Sequence, residues 1–82
     1  MRKYEVIWEQ IKKSTDPDKW VYVNVRSVDM IQTIINMVQV EKSAANVARK
    51  GLDLPSYGRL EITREPDKMR VGFRLKNNGA AL

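Results

Sequence analysis

One segment leaves little freedom in how this chain folds: Gly58 to Lys76, GRLEITREPDKMRVGFRLK. Apolar and polar residues alternate on both sides of Glu65-Pro66-Asp67-Lys68, the period of two that marks strands with one buried face. Proline presets the first central position of a tight turn and aspartate suits the next, so the segment reads as a hairpin. Pairing Arg64 with Met69 sets Ile62 opposite Val71 and Leu60 opposite Phe73, an apolar face. The same register sets Thr63 opposite Arg70, Glu61 opposite Gly72 and Arg59 opposite Arg74, with Lys76 beyond. A slip of one residue would mix the two faces. The hairpin therefore needs a core on one side, and on the other it offers four cations and one acid.

The rest of the chain has to supply that core. Tyr4, Ile7, Trp8 and Ile11 are spaced i, i+3, i+4 and i+7, one stripe of a helix. Lys12 and Lys13 fall in its last turn, where cations suit the helix dipole. Tyr4, Val6 and Trp8 also alternate, so a strand is the competing reading. Residues 14–19 (STDPDK) form a turn by composition. Residues 20–26 (WVYVNVR) are β-branched and aromatic, a strand with Val21, Val23 and Val25 on one face. Trp20, Tyr22, Asn24 and Arg26 lie on the other.

Ser27 is placed to cap the helix that follows, with Asp29 in its first turn. Its stripe of Ile31, Ile34, Ile35 and Val38 would pass, in a straight helix, to Lys42, Ala45, Asn46 and Arg49. Val40, Ala44 and Val47 would then face the opposite way. A break at residues 39–42 removes this inversion, with Ser43 capping a second helix over 44–50 and Gly51 ending it. One long helix whose two ends meet different neighbours is the alternative. Residues 52–57 (LDLPSY) connect to the hairpin with both leucines expected in the core, and residues 77–82 read as a flexible tail.

With 82 residues, 43% apolar and 30% charged, the composition is that of one small globular domain, here residues 1–76. There is no cysteine and no histidine, so disulfides and thiolate metal sites are excluded and the usual catalytic nucleophile and base are missing. The acids lack calcium-loop spacing, and the glycines are isolated rather than grouped as a phosphate loop. No metal, cofactor or catalysis is expected. No apolar run resembles a signal peptide or approaches the roughly 18 residues of a membrane span. The expectation is a cytoplasmic protein without membrane contact.

Net charge is +5 and unevenly spread. Residues 1–19 hold five cations and four acids, residues 20–41 one cation and two acids, and residues 42–82 nine cations and four acids. The excess lies in the second half, where it suits nucleic acid, an acidic protein surface, or plain solubility. Lys42, Asn46, Arg49 and Lys50 share one helical face there. Cations neutralise phosphates, and Asn and Arg can read base edges; an ordinary solvated helix end is the bland counterpart. Arg59, Arg70, Arg74 and Lys76 form a row on the hairpin that could follow a phosphate backbone. If the 20–26 strand joins this sheet, Trp20 and Tyr22 share the face with the arginines, and Gly72 leaves room beside them. Aromatics among cations form a stacking platform for single-stranded bases; otherwise the two rings cover apolar surface, beneath a helix or in a dimer. Tyr57 is placed for packing against Leu54 or Pro55, or for a hydrogen bond to phosphate.

Helix, strand, helix, turn, helix and hairpin, from about Tyr4 to Lys76, resembles the element order of winged helix-turn-helix domains. The resemblance implies a small α+β fold in which residues 43–50 enter the DNA major groove and residues 59–76 are the wing. The expected function is that of a DNA-binding regulator or accessory factor acting as a homodimer, with duplex DNA favoured over single strands or RNA. Lys42, Asn46, Arg49, Lys50, Arg59, Arg70, Arg74 and Lys76 would carry the contact. The alternative is a modulator, an inhibitor or adaptor that docks its basic face on an acidic protein partner.

Overall fold

The structure, a computed structural model, describes residues 3–14 and 18–76. Their order is α1 (Lys3–Lys13), β1 (Val21–Asn24), α2 (Asp29–Gly51), β2 (Leu60–Glu65), a 3-10 turn (Pro66–Lys68) and β3 (Arg70–Leu75). This is an α+β fold with one three-stranded antiparallel sheet ordered β1-β3-β2. The expected tail at 77–82 and part of the 14–19 turn lie outside the described residues. Among those residues, no helix is long and apolar enough to cross a membrane.

Of the expected α1 stripe, the side chain of Tyr4 lies outside the described ones, and Ile7, Trp8 and Ile11 are buried. They meet Ile31, Ile34, Ile35 and Val38 of α2, and Val25, Val71, Phe73 and Leu75, in one core. Apolar residues of all three strands point to this side, so both helices cover the same face of the sheet.

α2 is unbroken over 23 residues, so the break expected at 39–42 and the second helix capped by Ser43 are not formed. The buried stripe simply carries on. Ala45 packs against the core, and Asn46 and Arg49, next along the stripe, find polar partners in the connector. Val40 and Val47 are left 57% and 73% exposed. The inversion is absorbed by exposing valines, whereas a turn would have left helix-end backbone groups to be capped.

Both ends of α2 also differ from expectation. Val28 holds the N-terminal capping position without a side-chain hydrogen bond, and Ser27 contributes its carbonyl, which accepts from Met30 N–H at 3.2 Å. At the other end Gly51 is the last helical residue and the left-handed residue is Asp53, at φ 62°. Leu54 N–H donates to the Arg49 carbonyl at 2.9 Å and Asp53 N–H to that of Lys50 at 3.1 Å, the Schellman pattern. Aspartate tolerates this region because its short polar side chain bonds locally. The turn leaves Leu52 and Leu54 exposed. Tyr57, not the leucines, packs on the core from the connector.

In the hairpin the two faces are as expected, but the register is shifted by two residues. Ile62 faces Phe73, Leu60 faces Leu75 and Glu65 faces Arg70. The cause is the loop. Met69 adopts a left-handed conformation, φ 52°, and its N–H donates to the Pro66 carbonyl at 3.1 Å. Four residues, 66–69, therefore close the hairpin. A shift of two keeps each side chain on its face while giving every cation a new neighbour. β1 is shorter than the expected 20–26 strand and pairs Val21 with Phe73 and Val23 with Val71. β3 is thus the central strand, with Tyr22, Gly72 and Thr63 abreast on the outer face.

Candidate nucleic-acid interface

Outside the core, the sheet presents side chains from alternate positions of all three strands. Gly72 marks the centre. A Cβ there would lie 2.7 Å from Thr63 Cγ2 and 2.9 Å from Tyr22 Cε1, so the Tyr22 ring leans across the glycine. Arginines of β3 flank it on either side. The Arg70 guanidinium sits 3.8 Å from the Tyr22 ring centroid, and that of Arg74 sits 4.4 Å from the centroid of Trp20. Each arginine also reaches an acid on β2. Arg70 Nη2 donates to Glu65 Oε1 at 3.1 Å, and Arg74 Nε donates to Glu61 Oε1 at 2.9 Å. Two parallel rows result, Tyr22–Arg70–Glu65 and Trp20–Arg74–Glu61, each running ring, guanidinium, carboxylate across the sheet.

The shifted register gives this face its charge. The expected arrangement left the cations facing one acid; the observed one sets Glu65 opposite Arg70 and Glu61 opposite Arg74. Lys76 Nζ adds to the second row, 3.6 Å from both Glu61 Oε1 and Asp18 Oδ1, and Lys68 Nζ adds to the first, 3.5 Å from Glu65 Oε1. Burial pushes the Glu61 carboxyl up, but hydrogen bonds and charge from Arg74 and Lys76 outweigh it and hold it below 4.5. For Glu65 the Arg70 hydrogen bond leads, opposed by burial and aided by the charges of Arg70 and Lys68, with the same downward result. Both acids stay ionised at neutral pH and hold the guanidiniums in place. The arginines are ordered rather than free.

The residues expected on a DNA-reading helix face lie elsewhere. Asn46 Oδ1 accepts from Tyr57 N–H at 2.7 Å. Arg49 Nε donates to the Pro55 carbonyl, and its guanidinium lies 4.5 Å from the Tyr57 ring centroid. Tyr57 in turn meets Trp8 edge to face, with centroids 5.3 Å apart. Asn46 and Arg49 therefore clamp the connector onto the end of α2. Lys42 is half-buried on the same helix and Lys50 is exposed in its last turn. Arg59 is exposed just before β2, where its carbonyl accepts from Lys76 N–H at 3.0 Å. Of the eight expected contact residues, the structure gathers Arg70, Arg74 and Lys76 on the outer face of the sheet. Lys42, Asn46 and Arg49 belong to the helix layer behind it.

A concavity of about 330 Å³ lies between α1 and α2 and is lined by Glu5, Glu9, Glu41 and Lys12 among others. Three carboxylates against one ammonium give phosphate no foothold there. The partners that the sequence reading missed were Glu61, Glu65 and Asp18. Two of them were detectable: Glu61 and Glu65 are four apart, as are Arg70 and Arg74, and the two pairs are symmetric about the loop.

No family model matches this chain, and no curated protein or solved structure matches it significantly. The winged-helix resemblance gains no support from these comparisons, and the helix-turn-helix step it needs is a single helix here. What the site can do must be read from its geometry.

Proposed function

We propose that this protein binds single-stranded nucleic acid on the outer face of its sheet. The observation that carries the reading is the pair of rows across that face. A guanidinium held over an aromatic ring offers its outward plane to a base and its N–H edge to a phosphate. Two such units side by side, on a face that no helix covers among the described residues, suit successive nucleotides of an unpaired strand. A duplex keeps its base faces stacked inside, so it could use only the cations of this surface. The expectation of duplex DNA leaned on a separate recognition helix, and residues 43–50 are part of α2. Glu61 and Glu65 compete with phosphate, which must share or displace a carboxylate in these part-buried pairs to reach the guanidiniums.

Binding of labelled single-stranded homopolymers, followed by fluorescence anisotropy, tests this. Trp20→Ala and Tyr22→Ala each remove the ring that supports a guanidinium and should each raise Kd, by up to the roughly five- to hundredfold worth of one base–aromatic stack. Arg70→Ala and Arg74→Ala should each make the salt slope shallower by about 0.7, as expected for one lost phosphate contact to a single strand. Wild-type protein that binds neither oligo(dT) nor oligo(U) at low salt would overturn the reading and leave the acidic protein partner in its place. A pull-down that is insensitive to nuclease would then identify that partner class.

A further inference from the structure

α2 carries a second stripe that the fold uses only at its N-terminal end, where Met30 packs partly against the core. Met30, Thr33, Met37, Val40, Ala44 and Val47 recur at alternating steps of three and four, the spacing of a seam between two helices. The seam runs along the side away from the core stripe, and at its C-terminal end Val40 and Val47 are 57% and 73% exposed. Valine is a mediocre helix former, so neither local propensity nor burial within the chain explains these choices. The 23 residues of α2 extend about 34 Å, long enough for three heptads.

We infer that this seam packs against the α2 of a second copy, antiparallel, to form a homodimer. Two features select that occupant. The first is charge: Asp29 and Lys50 lie on the same flank of the seam, at opposite ends of α2. An antiparallel copy brings Asp29 beside the partner's Lys50 and Lys50 beside the partner's Asp29, a pairing that a parallel copy, with both Asp29 at one end and both Lys50 at the other, cannot make. The second is size. Antiparallel pairing places Met30 against the partner's Val47 and Met37 against the partner's Val40, so the long methionines meet the shorter valines, with the small pair Thr33 and the partner's Ala44 between them. The dimer is back to back. Its two sheets face away from each other, and both outer faces stay open.

Sedimentation equilibrium across a wide concentration range tests the inference. Wild type should show a reversible monomer–dimer equilibrium. Val40→Glu and Val47→Glu, each at a position exposed in the monomer, should keep their circular dichroism while raising the dimer Kd by roughly a hundredfold, since each change is felt on both sides of the dyad. Asp29→Lys alone should weaken the dimer, and Asp29→Lys with Lys50→Asp should restore it. The chain has no cysteine, so introduced ones report orientation. Mixed Thr33→Cys and Ala44→Cys proteins should cross-link to each other, and Ala44→Cys should not cross-link to itself. A wild type that is monomeric throughout, a dimer indifferent to both glutamates, or efficient Ala44→Cys self-linking would overturn the proposal. The nucleic-acid reading is scored separately, by oligonucleotide affinity per monomer, which Val40→Glu should leave unchanged.

Discussion

Replacing Gly72 with alanine tests the outer face at its centre. The new Cβ would lie 2.7 Å from Thr63 Cγ2 and 2.9 Å from Tyr22 Cε1, closer than such contacts normally come. The φ of Gly72 lies outside the left-handed region, so the backbone there does not itself demand glycine. On conformational grounds alone, alanine in a strand should gain about 0.5–1 kcal/mol. Sterics act the other way. The Thr63 methyl can turn aside, but Tyr22 is held between the glycine and a guanidinium 3.8 Å from its centroid, so the ring must swing outward and disturb Arg70. Overpacking of this kind costs about 1–3 kcal/mol, which leaves a net loss of up to about 2.5 kcal/mol after the conformational gain. For a domain of this size that is a fall in Tm of up to roughly 20 °C. Urea unfolding should give the same ordering by its midpoint. The decisive comparison is with Tyr22→Ala. Once the ring is gone, Gly72→Ala should be neutral or stabilising. If the alanine helps equally with and without Tyr22, the ring does not lie over Gly72, and the stacked face is wrong.

Three further outcomes follow from the same geometry. Glu61 and Glu65 are held below 4.5 in the folded protein, so the stability they contribute is complete above that value and drains away as pH falls below it; the urea midpoint should drop on acidification through 4.5, and Glu61→Gln with Glu65→Gln should flatten that drop. Asn46→Ala removes the acceptor of Tyr57 N–H and should cost about 1–3 kcal/mol without altering oligonucleotide affinity; altered binding at unchanged stability would return Asn46 to the contact surface. Phe73, fully buried, should cost about 3–5 kcal/mol as alanine, while Val47, exposed within one chain, should shift the stability of the monomer, measured at high dilution, by no more than about 0.5 kcal/mol; equal losses would reverse the assignment of faces.

Alternation alone made the sheet legible. Leu60, Ile62, Val71 and Phe73 had to share a face, and they do, because a period of two survives any even shift of register. The shift itself was not legible. It depends on Met69 entering a left-handed conformation, which nothing about a methionine announces. That one residue decides whether the arginines meet solvent or glutamates. α2 failed in the other direction. The change of stripe after Val38 suggests a turn, with one long helix as the alternative, only on the premise that apolar residues seek the core, yet Val40 and Val47 stay outside and Asn46 and Arg49 turn inward. Their polar groups are matched by the backbone of Tyr57 and Pro55, partners that lie several residues on and are invisible to a periodicity argument. The ring–arginine rows were foreseen only as a conditional, because they required β1 to join the hairpin on the side of β3.

Of the three strands, β3 is made after the other two, and it is the middle lane of the sheet. Neither β1 nor β2 is hydrogen-bonded to the other, so a nascent chain complete through β2 still has no sheet. Its two helices can meet each other but find no floor beneath them, since Val71, Phe73 and Leu75 arrive afterwards. Insertion of β3 between strands already made also closes the long loop that contains α2, an entropic step that slows folding. Translation halted before Arg70 would therefore yield a chain with two unpaired strands and an uncovered core, a substrate for aggregation or proteolysis. Quality control on this protein is in effect exercised at its C-terminal strand.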